Sequence, residues 1–316
     1  METRKSFCRF CHAFCGILVD VDANRVVAVR GDADNPMSGG YTCIKGRSLA
    51  DQHNGPHRLR SSQKRMPDGT FQAISSEQAI EEITEKLSTI VQRHGPRSVA
   101  TYNGTYAHMN AVVLPIVRAW HRGIGSPSYY TASSIDQPGK QVAAIRHGVW
   151  QGGDQDFASS DVHLVVGANP LVSMWAGLKF PAYNPWKRLR DAQARGMKLV
   201  VIDPRRSELA RRADLHLQVR PGEDPTLLAG IIHVIFAEGL YDGDFCDAYV
   251  QGIEGLREAV RDFTPEYVEE RAQVPAALVE RAARMFAAGP RGMATSGTGP
   301  SMAPREIGRA SCRERV

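Results

Sequence analysis

The pattern of apolar and polar positions changes near residue 75. Before it, two short alternating runs, Ile17–Val21 and Arg25–Val29, flank Asp22-Ala23-Asn24 and predict a small β-hairpin. The rest of residues 1–60 is rich in Cys, Gly and His and poor in apolar residues, so we expect a metal to stabilise it. Residues 61–72 contain a Pro-Asp-Gly turn and are predicted to join this module to the next domain.

From Ser75 onwards, helical stripes alternate with short apolar runs. Ser75 and Gln78 form a predicted capping box for a helix that ends at Gly95-Pro96. A strand over 98–103 and a helix over 108–122 follow. Further helices are predicted over 186–195, 225–238, 244–250 and 275–288.

Two almost continuous apolar runs, 161–166 and 198–202, flank the predicted helix over 186–195. Strand–helix–strand units with strands of this kind are typical of a parallel sheet that is covered on both faces. A shorter strand is predicted over 215–219. The sequence therefore predicts an α/β fold, in which a small Cys-rich β module precedes doubly wound parallel-sheet domains.

Composition excludes several classes of protein. Of the 316 residues, 42% are hydrophobic and 23% are charged, which excludes wholesale disorder. The net charge of +5 is spread along the chain, so we expect no nucleic-acid partner. No apolar run is long enough for a membrane segment. The first residues contain no apolar leader, which predicts a cytoplasmic location.

The last eleven residues break the α/β pattern. Residues 306–316 resemble the translation of a sequencing-library adapter, and we interpret them as an artefactual tail. The predicted organisation is therefore a metal-binding module at 1–60, an α/β region at 61–305 and the tail at 306–316. On this interpretation the chain is a fragment of a longer protein.

Four cysteines carry the strongest chemical signal, in the spacing Cys8-x2-Cys11-x3-Cys15-x27-Cys43. Three closely spaced thiolates and a distant fourth can occupy the four iron corners of a 4Fe-4S cube. Structural zinc is the alternative, but zinc sites usually pair their cysteines at both ends of the motif. The spacing favours the iron–sulfur cluster.

Lys45 follows two residues after Cys43, and this motif resembles the N-terminal module of molybdopterin oxidoreductases. These form the dimethyl-sulfoxide reductase superfamily, which includes formate dehydrogenases and periplasmic nitrate reductases, and the resemblance covers residues 5–305. It implies a 4Fe-4S cluster and a molybdenum, or tungsten, bis(molybdopterin guanine dinucleotide) cofactor. It also implies that Lys45 lies between cluster and pterin and serves electron transfer; a surface lysine is the alternative.

Three loops, 167–173, 201–206 and 220–224, resemble the family's guanine-dinucleotide loops. Each follows a predicted strand, and the carboxyl ends of parallel strands are where α/β sheets bind nucleotides. Arginine can bind phosphate, and a carboxylate can accept hydrogen bonds from guanine or ribose. The implied cofactor-binding residues are Gly167, Asn169, Pro170, Ser173, Asp203, Arg205, Arg206, Gly222 and Asp224, with Lys45 and Asn103 as further pterin contacts.

The ligand of the catalytic metal is predicted within residues 125–138, which contain no cysteine. Alignment of Gly125-Ser126-Pro127 with the corresponding family turn places Asp136 at the ligand position. A carboxylate is a hard donor that suits oxidised molybdenum. Ser133 or Ser134 are alternative ligands, and each of these residues could instead cap the next helix.

These features predict part of a molybdenum or tungsten oxidoreductase with a small-molecule substrate. Its two-electron chemistry would occur at the metal held by Asp136. Electrons would pass through Lys45 and the cluster to an external electron carrier or redox subunit. A non-catalytic iron–sulfur electron-transfer module and a zinc-stabilised nucleotide-binding protein are the alternatives, which iron and acid-labile sulfide content would help to separate.

Overall fold

A computed structural model describes residues 1–11, 13–104, 107, 109–132, 139, 142, 145, 157, 159–172 and 184–302. The strands are β1 (Glu2–Phe7), β2 (Gly16–Asp22), β3 (Arg25–Gly31), β4 (Ser62–Arg65), β5 (Phe71–Ile74), β6 (Thr101–Asn103), β7 (Tyr129–Thr131), β8 (Val162–Val166), β9 (Lys198–Ile202), β10 (Leu215–Leu217) and β11 (Gly292–Ser296). The helices are Ile44–Arg47, Leu49–Asn54, Ser76–His94, Val113–Ile124, Pro185–Ala194, Asp224–Ala237, Gly243–Tyr249, Ile253–Val260, Pro265–Ala272, Ala276–Ala287 and Thr298–Met302.

The predicted hairpin is present as β2 and β3. Ala23 and Asn24 form its turn with φ angles of 46° and 61°. The two strands belong to a three-stranded sheet with the order β1-β2-β3. The outer strand β1 was not predicted, because every residue of Glu2–Phe7 is exposed and the segment has no apolar alternation.

The main sheet has the order β10-β9-β8-β11, and all three of its strand pairs are parallel. Its side chains alternate between two buried layers. Leu164 and Val200 pack towards the helices 224–237 and 276–287. Val165 and Val201 pack towards the helix 185–194 on the other face. This arrangement confirms the predicted α/β class with a parallel sheet.

The edge strand β11 was missed, since Gly-Met-Ala-Thr-Ser has no continuous apolar run. It lies in register with β8, with Gly292 opposite Val162 and Ser296 opposite Val166. Two helices, 253–260 and 265–272, were also not predicted. The second helix contributes Val268 to the buried layer that also contains Leu164.

The start of the helix 76–94 agrees only in part with the capping box. The Ser75 side chain accepts a hydrogen bond from the Gln78 backbone N–H at 3.0 Å, as predicted. The Gln78 side chain instead donates to Glu82 at 3.0 Å, so the reciprocal half of the box is absent. The strand predicted over 98–103 is shortened to β6 by the turn of 3-10 helix at Pro96–Ser98.

The described residues fall into two compact units. Unit 1 contains residues 1–5, 18–30 and the described part of 46–135. It contains the antiparallel pair β4-β5, the parallel pair β6-β7 and most of the three-stranded sheet β1-β2-β3. Unit 2 contains residues 6–17, 31–45 and the described part of 136–316, including the main sheet. The boundaries predicted at 60 and 305 stay predictions. Within the described chain, no helix combines the length and the apolar character needed to cross a membrane.

Candidate cluster and cofactor site

Cys8, Cys11 and Cys15 lie in one closed loop between β1 and β2, which we call the cysteine loop (residues 8–15). The Cys8 backbone N–H donates to the Cys15 carbonyl oxygen at 2.8 Å. Inside this closure, the Phe14 N–H donates to the Cys11 carbonyl oxygen at 3.4 Å. The short spacing of the motif therefore brings three thiols together within a single turn of chain.

Cys43 approaches the cysteine loop because residues 32–41 fold back beside Gly16. The Asp32 N–H donates to the Gly16 carbonyl oxygen at 3.0 Å, and the Gly16 N–H donates to the Ser38 hydroxyl at 3.2 Å. The Gly40 N–H also donates to the Asp32 carbonyl oxygen at 3.0 Å, which closes this second loop. We call residues 32–41 the return loop.

Asn35 organises the return loop from inside. Its side-chain oxygen accepts hydrogen bonds from the Met37 and Ser38 N–H groups, each at 3.0 Å. At the entrance to the loop, a Cβ atom on Gly31 would overlap the Gly40 carbonyl oxygen. Glycine at position 31 therefore permits the close approach of two backbone segments, on which the position of Cys43 depends.

The four thiols interact electrostatically with one another and with Lys45. Burial raises the pKa of Cys15 to about 12, and negative charge on the other three cysteines adds to the rise. Burial also raises the pKa of Cys8 and Cys11, and the Lys45 ammonium partly opposes both increases. The structure thus gathers the predicted ligands and Lys45 at one place in unit 2.

This donor set fits an iron–sulfur cube. The five described cysteines form no disulfide. Among the described residues, no three His, Cys, Asp or Glu side chains are grouped so that they could hold a single metal ion. A cube offers each thiolate its own iron corner, so its ligands lie further apart than the ligands of one ion.

The loops that follow β8, β9 and β10 lie at the same edge of the main sheet, because the strands are parallel. We call these segments, 167–172, 203–209 and 220–224, the carboxyl-edge loops. Gly167 has a φ of 58° and Gly222 a φ of 90°, conformations that glycine adopts readily. A Cβ on Gly167 would also overlap the ring of Pro300.

Side chains of the first two carboxyl-edge loops are joined by a carboxylate. The Asn169 side-chain N–H donates to Glu208 Oε2 at 2.6 Å, and an Arg205 N–H approaches the same oxygen at 3.4 Å. In the described chain, the Asn169 side-chain oxygen is buried and has no hydrogen-bond partner. A buried acceptor without a partner suits a ligand that donates a hydrogen bond there.

Asp203, in the second carboxyl-edge loop, and Asp224, in the third, lie close enough to interact electrostatically. Asp203 accepts a hydrogen bond from the Arg205 N–H at 2.8 Å. Burial raises the pKa of the Asp224 carboxyl, and the negative charge of Asp203 raises it further. A hydrogen-bond donor or a cationic group of a ligand would relieve this unfavourable burial of charge. Arg206 is exposed at the same edge.

The return loop contacts the first carboxyl-edge loop. The Tyr41 hydroxyl donates to the Leu171 carbonyl oxygen, and the Asn184 side chain donates to the Gly39 carbonyl oxygen at 3.4 Å. These contacts attach the segment that carries Cys43 to the edge of the main sheet. The cysteine site and the carboxyl-edge loops therefore belong to one continuous region of unit 2.

Other predicted site residues are placed differently. Asn103 ends β6 in unit 1, and its side-chain nitrogen is buried without a partner in the described chain. Pro170 lies within the first carboxyl-edge loop. The predicted metal ligand Asp136 and the predicted cofactor residue Ser173 lie outside the described residues, as do Ser133 and Ser134.

Three polar residues of the site were not anticipated: Asn35, Ser38 and Glu208. Asn35-Pro36 followed by Gly39-Gly40 is a recognisable turn signal, and it could have indicated the return loop. Glu208 had no such signal, since its partner Asn169 is 39 residues away in the sequence.

Two family models match the chain. The model described as molybdopterin oxidoreductase matches residues 58–302, and the model described as molybdopterin oxidoreductase Fe4S4 domain matches residues 1–55. The molybdopterin-containing subunit of thiosulfate reductase from Salmonella typhimurium is 32% identical over 96% of this chain and 39% of its own length. Formate dehydrogenase H from Escherichia coli is 29% identical over 91% of this chain and 40% of its own length.

A solved structure of acetylene hydratase from Pelobacter acetylenicus superimposes with a TM-score of 0.71 at 25% identity. It aligns with 99% of this chain, which covers 43% of that protein. The chain thus spans about two fifths of the length of these relatives.

Proposed function

Because the chain belongs to the molybdopterin oxidoreductase family, we propose that it is the cluster-bearing part of a longer molybdenum or tungsten enzyme that performs two-electron redox chemistry on a small molecule. The two family models confirm the predicted 4Fe-4S cluster and molybdopterin cofactor. The convergence of four thiols and Lys45 beside the carboxyl-edge loops is the observation that carries this proposal.

In this proposal, Cys8, Cys11, Cys15 and Cys43 hold the cluster, which supplies one-electron transfer when bound. Burial makes free thiolates unfavourable at this site, so the positive charge of iron would stabilise them. Lys45 adds a further positive charge beside Cys8 and Cys11. Its proposed role is to favour electron transfer by stabilising negative charge between cluster and pterin.

The carboxyl-edge loops would bind a guanine dinucleotide of the pterin. Asn169 offers an unpartnered acceptor, and the buried Asp224 carboxylate would accept hydrogen bonds from guanine N–H groups. Arg205 and Arg206 would pair with phosphate oxygens. A second dinucleotide, a pterin contact by Asn103, and Asp136 as the metal ligand remain parts of the same proposal.

The proposal also covers the electron-transfer partner of the enzyme and its location in the cell. Electrons would enter or leave through an external carrier protein or redox subunit, and no nucleic acid is involved. The enzyme would work in the cytoplasm, which cell fractionation can test.

The test is a cofactor analysis of the full-length enzyme, purified without oxygen. We expect iron, acid-labile sulfide, molybdenum or tungsten, and GMP released by acid hydrolysis. We also expect viologen-linked turnover with at least one of formate, thiosulfate and nitrate. Iron and sulfide without pterin would favour an electron-transfer module, and zinc without sulfide would favour the zinc-stabilised alternative.

One relative limits the redox part of the proposal. Acetylene hydratase is 32% identical over 69% of this chain, and its name describes the addition of water. The enzyme should therefore also be assayed with acetylene. Hydration of acetylene without any viologen-linked turnover would contradict the proposed redox activity and leave the cofactor assignment intact.

A further inference from the structure

We propose that Glu208 is a positioning residue, which orients the side-chain amide of Asn169 so that the amide oxygen accepts a hydrogen bond from the bound guanine dinucleotide. In this proposal Glu208 acts on the cofactor only through Asn169. The inference rests on the proposed function, because it takes the carboxyl-edge loops as the binding site of that dinucleotide.

The backbone on either side of Asn169 is fixed by hydrogen bonds. The Gly167 N–H donates to the Ile202 carbonyl oxygen at 2.8 Å, and the Val172 N–H donates to the Asn169 carbonyl oxygen at 2.9 Å. Leu171, two residues further along, is almost completely buried. The polarity that this loop presents therefore depends on how the Asn169 side chain is turned.

Glu208 contacts that side chain from a well-anchored position. Its neighbours Ser207 and Leu209 are both fully buried. Glu208 Oε2 accepts a hydrogen bond from the Asn169 side-chain N–H at 2.6 Å, and an Arg205 N–H lies 3.4 Å from the same oxygen. The backbone N–H of Glu208 and these two partners lower the pKa of its carboxyl, so it is ionised at neutral pH.

An ionised carboxylate determines which end of the amide faces it. Because a carboxylate only accepts hydrogen bonds, Glu208 holds the nitrogen of the Asn169 amide towards itself and the oxygen away. The reversed amide would place two acceptors against each other. The oxygen that is turned away is buried and has no partner among the described residues, so it suits a ligand that donates a hydrogen bond.

A guanine nucleotide supplies such donors from its ring N–H, its amino group and its ribose hydroxyls. Asn169 lies in the loop that follows β8, at the sheet edge where α/β folds bind nucleotides. A ligand with only acceptors at this point would meet an unfavourable buried oxygen. Glu208 would therefore contribute to selection of the ligand without being its binding partner.

Glu208→Gln in the full-length enzyme tests this role. Glutamine has nearly the same shape, but its amide can either accept or donate, so both orientations of Asn169 become possible. Glu238→Gln is the matched control. Glu238 also accepts hydrogen bonds from an arginine and its side chain is 34% exposed, against 37% for Glu208. It lies at the far end of the helix that begins in the third carboxyl-edge loop.

The measurement is the rate at which the holoenzyme loses its cofactor. Each enzyme is kept in urea below its unfolding transition and desalted at intervals, and the GMP still bound is measured after acid hydrolysis. We expect Glu208→Gln to lose GMP about tenfold faster than the wild type, since a charge-assisted hydrogen bond no longer fixes the amide. Glu238→Gln should match the wild type. Equal rates for Glu208→Gln and the wild type would overturn the proposal.

A double variant shows whether Glu208 acts through Asn169. Asn169→Ala removes the amide and should itself accelerate the loss of GMP. Addition of Glu208→Gln to Asn169→Ala should then cause no further change, because the group that Glu208 orients is already absent. A further acceleration would mean that Glu208 acts by another route, such as its contact with Arg205, and would overturn the proposed positioning role.

A second double variant, Asn169→Asp with Glu208→Gln, exchanges donor and acceptor across the contact. It keeps the charge of the pair and leaves an acceptor facing the ligand, so it should fold and lose GMP at the wild-type rate. Rapid loss of GMP from this variant, or its failure to fold, would contradict the inference. Wild-type enzyme without GMP would refute the proposed function, whereas wild-type GMP content with no effect of Glu208→Gln would refute only the role of Glu208.

Discussion

At the scale of single residues, burial of the thiols governs the cysteine site. Cys15 reaches a pKa of about 12, so it would be protonated at neutral pH without a cation nearby. Iron would supply that cation, and Lys45 adds a smaller positive contribution at Cys8 and Cys11. The site is therefore poorly suited to free thiolates and well suited to a cationic cluster core.

Substitution of Lys45 by methionine should shift the reduction potential of the cluster. Removal of the ammonium disfavours the added electron, so the midpoint should become more negative, by a shift on the order of 50 mV. A redox titration followed by EPR measures it, and Lys45→Arg should restore the wild-type value. Lys198→Met, which removes an exposed lysine at the opposite edge of the sheet, is the control. An unchanged midpoint in Lys45→Met would contradict the proposed role of Lys45.

His163 is a buried histidine whose titration should affect stability. It lies in the middle of the main sheet, and its Nε2 atom pairs with the Thr295 hydroxyl at 2.9 Å. Burial lowers its pKa to about 4. The unfolded state, with a pKa of about 6.5, therefore binds the proton more readily than the folded state does.

Stability contributed by neutral His163 should be complete above pH 6.5 and be lost as the pH falls towards 4. The loss should reach about 3 kcal/mol, from a pKa difference of about 2.5. His163→Leu should remove this part of the pH dependence, as measured by urea denaturation between pH 4 and 7. His57→Leu, at an exposed position, is the control. Parallel stability curves for His163→Leu and the wild type would contradict the assignment.

At the scale of secondary-structure elements, the parallel sheet positions the cofactor loops. Its two central strands, β8 and β9, could be predicted because they are buried on both faces and therefore form continuous apolar runs. β11 could not be predicted, since its exposed edge position tolerates small and polar residues. The sequence also lacked a signal for β1, whose residues are all exposed.

Gly297, which follows β11, lies very close to the loop that follows β8. A Cβ at this position would overlap the Gly167 carbonyl oxygen, in the loop that follows β8. Gly297→Ala should therefore push the end of β11 away and destabilise the protein by about 2 kcal/mol, the usual cost of overpacking. Gly255→Ala is the control, because a Cβ there meets open space within the helix 253–260, and helix propensity should stabilise it by about 1 kcal/mol.

Urea denaturation measures both glycine variants. Equal stability of Gly297→Ala and the wild type would mean that β11 does not pack against the loop after β8 as described. A destabilised Gly255→Ala would instead show that the helix 253–260 has a partner on that side.

At the scale of the whole molecule, the family and the cofactor class followed from one motif and the order of three loops. The cysteine spacing and Lys45 were sufficient for the resemblance, and the family models confirm it. The sequence could not reveal the contacts that bring the loops together. The hydrogen bonds from Asn169 to Glu208 and from Tyr41 to the Leu171 carbonyl oxygen join residues far apart in the chain. The pattern of apolar and polar residues does not predict pairs of this kind.

The metal ligand could be proposed only from the resemblance. Asp136 was reached by alignment of a turn, and no periodicity or spacing supports it independently. A ligand in such a segment is fixed by tertiary contacts rather than by local propensity. Asp136 therefore remains a proposal.

The most direct measurement is the iron and acid-labile sulfide content of the purified, anaerobically reconstituted protein, with EPR after reduction by dithionite. One cluster held by Cys8, Cys11, Cys15 and Cys43 predicts about four irons and about four sulfides per chain, with the spectrum of a single reduced 4Fe-4S cluster. Cys43→Ser should lose most of that signal, while Cys246→Ser should keep it. Stoichiometric zinc without sulfide, or an intact cluster in Cys43→Ser, would contradict this account of the protein.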